Sequence, residues 1–193
     1  MHGVVYSRRG RGGIPGGTKG ELALTAPTIR VAIITVSDGV AAGRREDRGG
    51  PACEAALREA GLPVEIRARE VVPDDPQAVA AAARRLGDSG SADLLVFTGG
   101  TGVSPRDRTP EALRPLMDLE IPGFPEKMRS ETGRDFPAAY LSRQIAGIRG
   151  RCLLIAVPGS PTGAGDCLRA VASLIPHAVA LAQGAPSEHP RPA

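Results

Sequence analysis

Two carboxylates, Asp74 and Asp107, flank a glycine-rich stretch, Thr98-Gly99-Gly100-Thr101-Gly102. Glycines at 99, 100 and 102 let the backbone take positive φ and come close to a ligand. Consecutive N–H groups in such a turn, left without secondary-structure partners at the end of a strand, form an anion-binding concavity. Acids beside a phosphate site repel the ligand unless a cation lies between them. Mg²⁺ is therefore the natural companion, with Asp74 and Asp107 as its candidate ligands and catalytic residues. The local alternatives are that Asp74 caps the helix opening near Pro76 and that Asp107 fixes its own loop.

Other polar groups could join this chemistry. Ser37-Asp38 could hydrogen-bond a sugar or base, or form an Asx-type turn. Ser142-Arg143 offers a hydroxyl and a cation for an anion. Pro158-Gly159-Ser160-Pro161 is a rigid turn suited to wall a pocket. The usual nucleotide signatures are missing: no Gly-x-Gly-x-x-Gly follows the first strand, and no Gly-Lys-Ser/Thr stands where a P-loop needs it.

The elements that must carry these residues alternate between strand and helix. Residues 30–36 (RVAIITV), 64–69, 93–98 and 152–157 (CLLIAV) read as strands, the runs being apolar as in a sheet covered on both faces. Helices are expected over 50–60, with Pro51 in the first turn and Gly61 as the stop, and over 76–86, with Asp75 as N-cap before Pro76. Another is expected from Thr109 as N-cap to about Met117, with further helices over 124–132 and 165–182, the last bent at Pro176. Residues 141–148 fit either a short helix or a strand. The pattern predicts an α/β three-layer sandwich with a mainly parallel sheet. Ligands of such sheets bind beyond the carboxyl ends of the strands, where the polar loops at 37–39, 98–107 and 158–161 should converge.

Composition narrows the function classes. A chain of 193 residues suits one domain with a sizeable core. The formal charge of +3 and the 3% aromatic content argue against nucleic-acid binding. Cys53, Cys152 and Cys167 are widely spaced and predict buried free thiols. His2, His177 and His189 do not cluster, so no zinc site is expected. No segment reads as the roughly 20 apolar residues of a membrane span, and a soluble cytoplasmic protein is expected. Residues 1–27 read as a flexible Gly/Arg-rich leader, 28–184 as the folded domain and 185–193 as a loose tail.

Taken together, the motifs resemble the MogA/MoaB-type molybdopterin adenylyltransferases over residues 29–183. The matching pieces are Thr35-Val36-Ser37-Asp38, Gly43, Asp47, Gly50-Pro51, Pro73-Asp74, Thr98-Gly99-Gly100-Thr101-Gly102 and Arg106-Asp107 with Thr109-Pro110-Glu111-Ala112. Glu120 with Pro122-Gly123-Phe124, Leu141-Ser142-Arg143-Gln144 and Pro158-Gly159-Ser160-Pro161 complete them. The chain departs from the pattern at Thr162-Gly163, where relatives often have a lysine after the turn, and at Ala42, where serine is common.

The resemblance implies a molybdopterin-binding, Rossmann-like fold. It also implies transfer of AMP from Mg-ATP to the terminal phosphate of molybdopterin with release of pyrophosphate. Asp74 and Asp107 carry over as the catalytic carboxylates, acting through Mg²⁺, and a homotrimer is implied. Ser37, Asp38, Gly99, Gly100, Thr101, Gly102, Ser142, Arg143, Pro158, Gly159, Ser160 and Pro161 are the expected substrate and nucleotide contacts.

The chemistry agrees with the resemblance. The second pKa of a phosphate monoester is about 6, so the attacking group is mostly ionised at neutral pH and needs no histidine base. The barrier lies in positioning two polyanions and neutralising the leaving pyrophosphate. Two other readings stay open: a non-catalytic pterin carrier on the same scaffold, and a CinA-type nucleotide pyrophosphatase.

Overall fold

The computed structural model describes residues 27–186. Most of the expected leader and tail lie outside them. A six-stranded sheet runs in the order β2-β1-β3-β6-β5-β4. Strands β1 (Ile29–Val36), β2 (Val64–Val72), β3 (Leu94–Thr98) and β6 (Cys152–Val157) are parallel. β5 (Ile145–Arg149) and the two-residue β4 (Leu119–Glu120) add an antiparallel edge. The ambiguous 141–148 stretch divides accordingly: a 3₁₀ turn, Pro137–Leu141, ends where the approach to β5 begins.

A one-turn helix, α1 (Asp38–Ala41), follows β1. The central strands alternate between two cores. Val31, Ile33, Leu94, Val96, Leu153, Ile155 and Val157 face α2 (Gly49–Glu59), α5 (Gly123–Thr132), α6 (Pro161–Val171) and α7 (Ile175–Ala182). Ala32, Ile34, Val36, Leu95, Phe97, Leu154 and Ala156 face α3 (Pro76–Asp88) and α4 (Thr109–Leu113). Both faces are covered, so β3 and β6 are apolar at nearly every position. β2 differs. It is an edge strand whose exposed Glu65, Arg67 and Arg69 alternate with half-buried residues.

Local capping follows the sequence at α3, where the Asp75 carboxylate accepts from Ala78 N at 2.8 Å ahead of Pro76. It does not at α4. Thr109 lies inside the helix, and its buried hydroxyl makes no hydrogen bond because it is pressed against Gly100. The final helix starts at Pro161, earlier than expected, and a 3₁₀ turn, Ala172–Leu174, breaks it ahead of Pro176. The helical run Pro161–Ala182 has 22 residues and a mean hydropathy of 1.2, enough by length and composition to span a membrane. The run carries Asp166 and Arg169, in keeping with the expectation that it is not a membrane span. Its apolar face, from Ala164 and Leu168 to Ile175 and Val179, belongs to the core.

Candidate active site

The order β2-β1-β3-β6 places the carboxyl ends of β1, β3 and β6 side by side, and their loops meet there as expected. Gly99 N donates to Val157 O at 3.1 Å, and the Thr98 hydroxyl donates to Pro158 O at 2.8 Å, tying the glycine turn to the 158–161 turn. Gly99 and Gly100 have φ of +113° and +63°. A Cβ on Gly99 would lie 2.3 Å from Val36 O, so glycine is dictated by both conformation and space.

Two cavities share residues of the 158–161 turn as a wall. Gly159 and Pro161 border a cleft of about 560 Å³ that also presents Thr35, Ser37, Asp47, Asp74, Gly99 and Gly100. Pro158 and Ser160 border a larger cavity of about 900 Å³ with Phe136, Ala139, Ser142 and Gln144. The first is rich in backbone amides, hydroxyls and carboxylates. The second has a largely apolar floor rimmed by Lys127, Glu131, Asp166 and Arg169.

The predicted residues therefore sort into three groups. Ser37, Asp74, Gly99, Gly100, Gly159 and Pro161 line the smaller cleft, while Ser142, Pro158 and Ser160 line the larger cavity. Asp38, Thr101, Gly102, Asp107 and Arg143 tie the surrounding loops together. The Thr101 and Ser142 hydroxyls are 3.0 Å apart, and Arg143 N donates to Thr101 O at 2.7 Å.

The carboxylates take distinct places. Asp74 does not cap α3, which Asp75 does. Its Oδ2 accepts from Asp38 N at 2.8 Å, and Asp38 Oδ1 accepts from Asp74 N at 2.9 Å. Asp107 takes up the loop-fixing alternative: its Oδ2 accepts from Ser104 N at 3.0 Å. It borders a separate recess with Ser104, Glu111 and Arg143, not the cleft that holds Asp74. The two acids are thus not brought together on one cavity wall. Arg143 is also not the loose cation expected. Its Nε donates to Gly102 O at 2.7 Å, and its two terminal nitrogens bond Asp107 O and the Glu111 carboxylate. Burial pushes the Glu111 carboxyl up, but its own backbone N–H and Arg143 outweigh this and hold it below the usual range.

A further acid belongs to the site. Asp47 Oδ2 accepts from the Thr35 hydroxyl at 3.0 Å, and Oδ1 accepts from Gly50 N at 3.0 Å at the start of α2. An aspartate three residues before a helical Gly50 N–H was the available sequence signal. Gly49 and Gly50 leave room for Thr98, Asp47 and Thr35, whose atoms would lie 2.7–3.2 Å from added Cβ atoms.

For Mg²⁺, the donor set fits. Asp47 and Asp74 present hard oxygen ligands in one cleft with hydroxyls of Thr35 and Ser37. Among the described residues, no group of three or more His, Cys, Asp or Glu forms a ready metal cage. Mg²⁺ characteristically uses one or two carboxylates together with substrate phosphates rather than such a cage.

Comparison with known proteins places the chain. Residues 32–177 match the family described as "Probable molybdopterin binding domain". The chain belongs to this family. Over 158 residues it is 39% identical to the molybdopterin adenylyltransferase of Helicobacter pylori strain J99, a match spanning 81% of this chain and 89% of that one. The crystal structure of the molybdopterin biosynthesis enzyme MoaB from Thermus thermophilus superimposes with a TM-score of 0.76 at 47% identity, covering 82% of this chain and 98% of that one. The family members thus share the mixed sheet described above. CinA from Thermoplasma acidophilum, at 19% identity and a TM-score of 0.58, shares the fold alone.

Proposed function

We propose that this chain transfers AMP from Mg-ATP to the terminal phosphate of molybdopterin, releasing pyrophosphate, in molybdenum cofactor biosynthesis. The observation that carries the reading is the pairing of two cavities across one four-residue turn. A polar cleft of about 560 Å³ suits phosphates, and an apolar cavity of about 900 Å³ suits a fused ring. Pro158 and Ser160 face one and Gly159 and Pro161 face the other, so a ring in one and phosphates in the other meet at the turn.

In this reading the backbone N–H of Gly100 holds a phosphate oxygen in a fixed orientation, while that of Gly99 ties the bend to Val157 O. Asp74, with Asp47 lining the same cleft, would hold Mg²⁺ brought in by the nucleotide. When bound, that ion supplies positive charge to the phosphates and to the departing pyrophosphate. Asp107 shapes the turn through Ser104 N, and Arg143 locks the carbonyls of Gly102 and Asp107 so that the loop keeps its shape. The attacking phosphate is already ionised at neutral pH, so the protein supplies position and charge rather than a base.

Homotrimeric assembly and a cytoplasmic location complete the proposal. Val103, Leu119, Phe136, Tyr140 and Leu141 are large apolar side chains left exposed on one copy, as a subunit contact would need. Sedimentation equilibrium tests the assembly: three times the chain mass supports it, and a monomer at micromolar concentration contradicts it.

Incubation of the protein with Mg-ATP and molybdopterin tests the activity. Adenylated molybdopterin appearing with equal pyrophosphate supports it. Tight pterin binding without turnover would assign a carrier, and hydrolysis of ADP-ribose would assign a CinA-type pyrophosphatase.

A further inference from the structure

The polar cleft carries Glu46, Asp47 and Asp74 but only two basic residues, Arg45 and Arg48. A di- or triphosphate entering it needs more positive charge than a single divalent ion provides. Two cations adjoining the glycine turn are already committed. Arg143 is held by Gly102, Asp107 and Glu111, and Arg106 is paired with the Asp38 carboxylate. Within the cleft, Arg48 faces Glu46 at 3.5 Å. Arg45 forms no ion pair among the described residues.

The base of Arg45 is nonetheless fixed. Gly43, at φ +67°, turns the chain back, and the backbone N–H groups of Arg44 and Arg45 both donate to Gly39 O, at 2.9 and 3.0 Å. The guanidinium lies over Gly39, where an added Cβ would come within 2.4 Å of Nε. A head group held at its root, lying across a glycine and without a carboxylate partner, is prepared for an incoming anion.

We propose that Arg45 is a phosphate-binding residue of this cleft that favours polyphosphates over a monophosphate. This rests on reading the cleft as the nucleotide site. A planar guanidinium can bridge oxygens of adjacent phosphoryl groups, which a monophosphate does not offer.

Calorimetric titration with inorganic pyrophosphate and Mg²⁺, and separately with AMP, tests the proposal on the wild type, Arg45→Ala, Arg45→Lys and Arg67→Ala. Arg67 is an exposed β2 residue paired with Glu65, outside the cleft. Circular dichroism confirms that each variant is folded. The expected result is pyrophosphate affinity weakened on the order of tenfold in Arg45→Ala, partly restored by lysine and unchanged in Arg67→Ala, with AMP affinity little altered. The salt dependence of pyrophosphate binding should also become shallower without Arg45. Equal pyrophosphate affinity in wild type and Arg45→Ala, or no pyrophosphate binding by the wild type, overturns the proposal. Arg45-dependent pyrophosphate binding without adenylyl transfer would leave it standing and remove the proposed activity.

Discussion

Asp38 and Asp74 cap one another across two loops, each carboxylate accepting the other's backbone N–H, at 2.8 and 2.9 Å. The exchange joins the end of β1 to the end of β2 and fixes Asp74 on the cleft wall. Asp74→Asn retains an oxygen for the Asp38 N–H while removing the charge. Its unfolding free energy should change by under about 1 kcal/mol, while adenylyl transfer falls by on the order of a hundredfold. Urea unfolding and a radiolabelled AMP-transfer assay measure the two effects separately, and equal activity in the variant would remove Asp74 from the metal site.

Gly99→Ala forces a Cβ against Val36 O at a φ of +113°. A loss of about 3 kcal/mol or more is expected, since strain and overlap act together. It should show as a lower urea midpoint with an unchanged slope. A wild-type midpoint would mean that the turn relaxes freely.

These two positions show what a sequence can disclose. The central strands, the Asp75 cap and the meeting of the three loops were legible because each follows from local pattern: apolar β-branched runs, Asp before Pro, and parallel strands whose carboxyl ends share an edge. The tasks of the side chains inside those loops were less so. Asp107 and Arg143 read as ligand-facing charges, yet both act on the glycine loop itself. The Asp107 carboxylate accepts the Ser104 N–H, and Arg143 donates to the carbonyls of Gly102 and Asp107. Backbone groups in a tight turn recruit the nearest side-chain partners. Asp47 stands among the motif residues but not among the expected site residues, although its spacing ahead of Gly50 was a signal. Arg45 had none, because its position depends on how a loop folds back over Gly39. Thr109 looked like a cap and became a packing residue once Gly100 was pressed against it.

Arg143→Lys should destabilise the protein by about 1–2 kcal/mol, a figure moderated by the partial exposure of the pair with Glu111. A lysine ammonium cannot reach Gly102 O, Asp107 O and Glu111 in one plane as the guanidinium does. Faster amide exchange confined to residues 101–107 would verify the loop's dependence on it; unchanged exchange would refute it.

Asp93 gives the fold an acid-sensitive tie between β1 and β3. Burial pushes its carboxyl up, but bonds from the Arg30 side chain and backbone and from Gln183 outweigh this and hold it below the usual carboxylate range. A depressed folded-state value means that the stabilisation is complete above the unfolded pKa of about 3.9. It is lost as pH falls through that value toward the lower folded one. In Asp93→Asn the stability profile below about pH 4 should be flatter than in wild type, as acid titration of thermal unfolding would record. Parallel profiles would contradict the assignment.

Burial raises the thiols of Cys53 and Cys152 to about 12 and that of Cys167 to about 11. At pH 8 the folded protein should leave all three unreactive toward Ellman's reagent, and denaturation should release three equivalents. Rapid labelling of the native protein would show that these core positions open.

The central claim is that two adjoining cavities bring a nucleotide and a pterin phosphate into contact across the 158–161 turn. Its most direct test is single-turnover mixing of enzyme, molybdopterin and Mg-ATP labelled in the α-phosphate. The account predicts label transferred to the pterin in step with pyrophosphate release. Label remaining in ATP while both ligands are bound would contradict it.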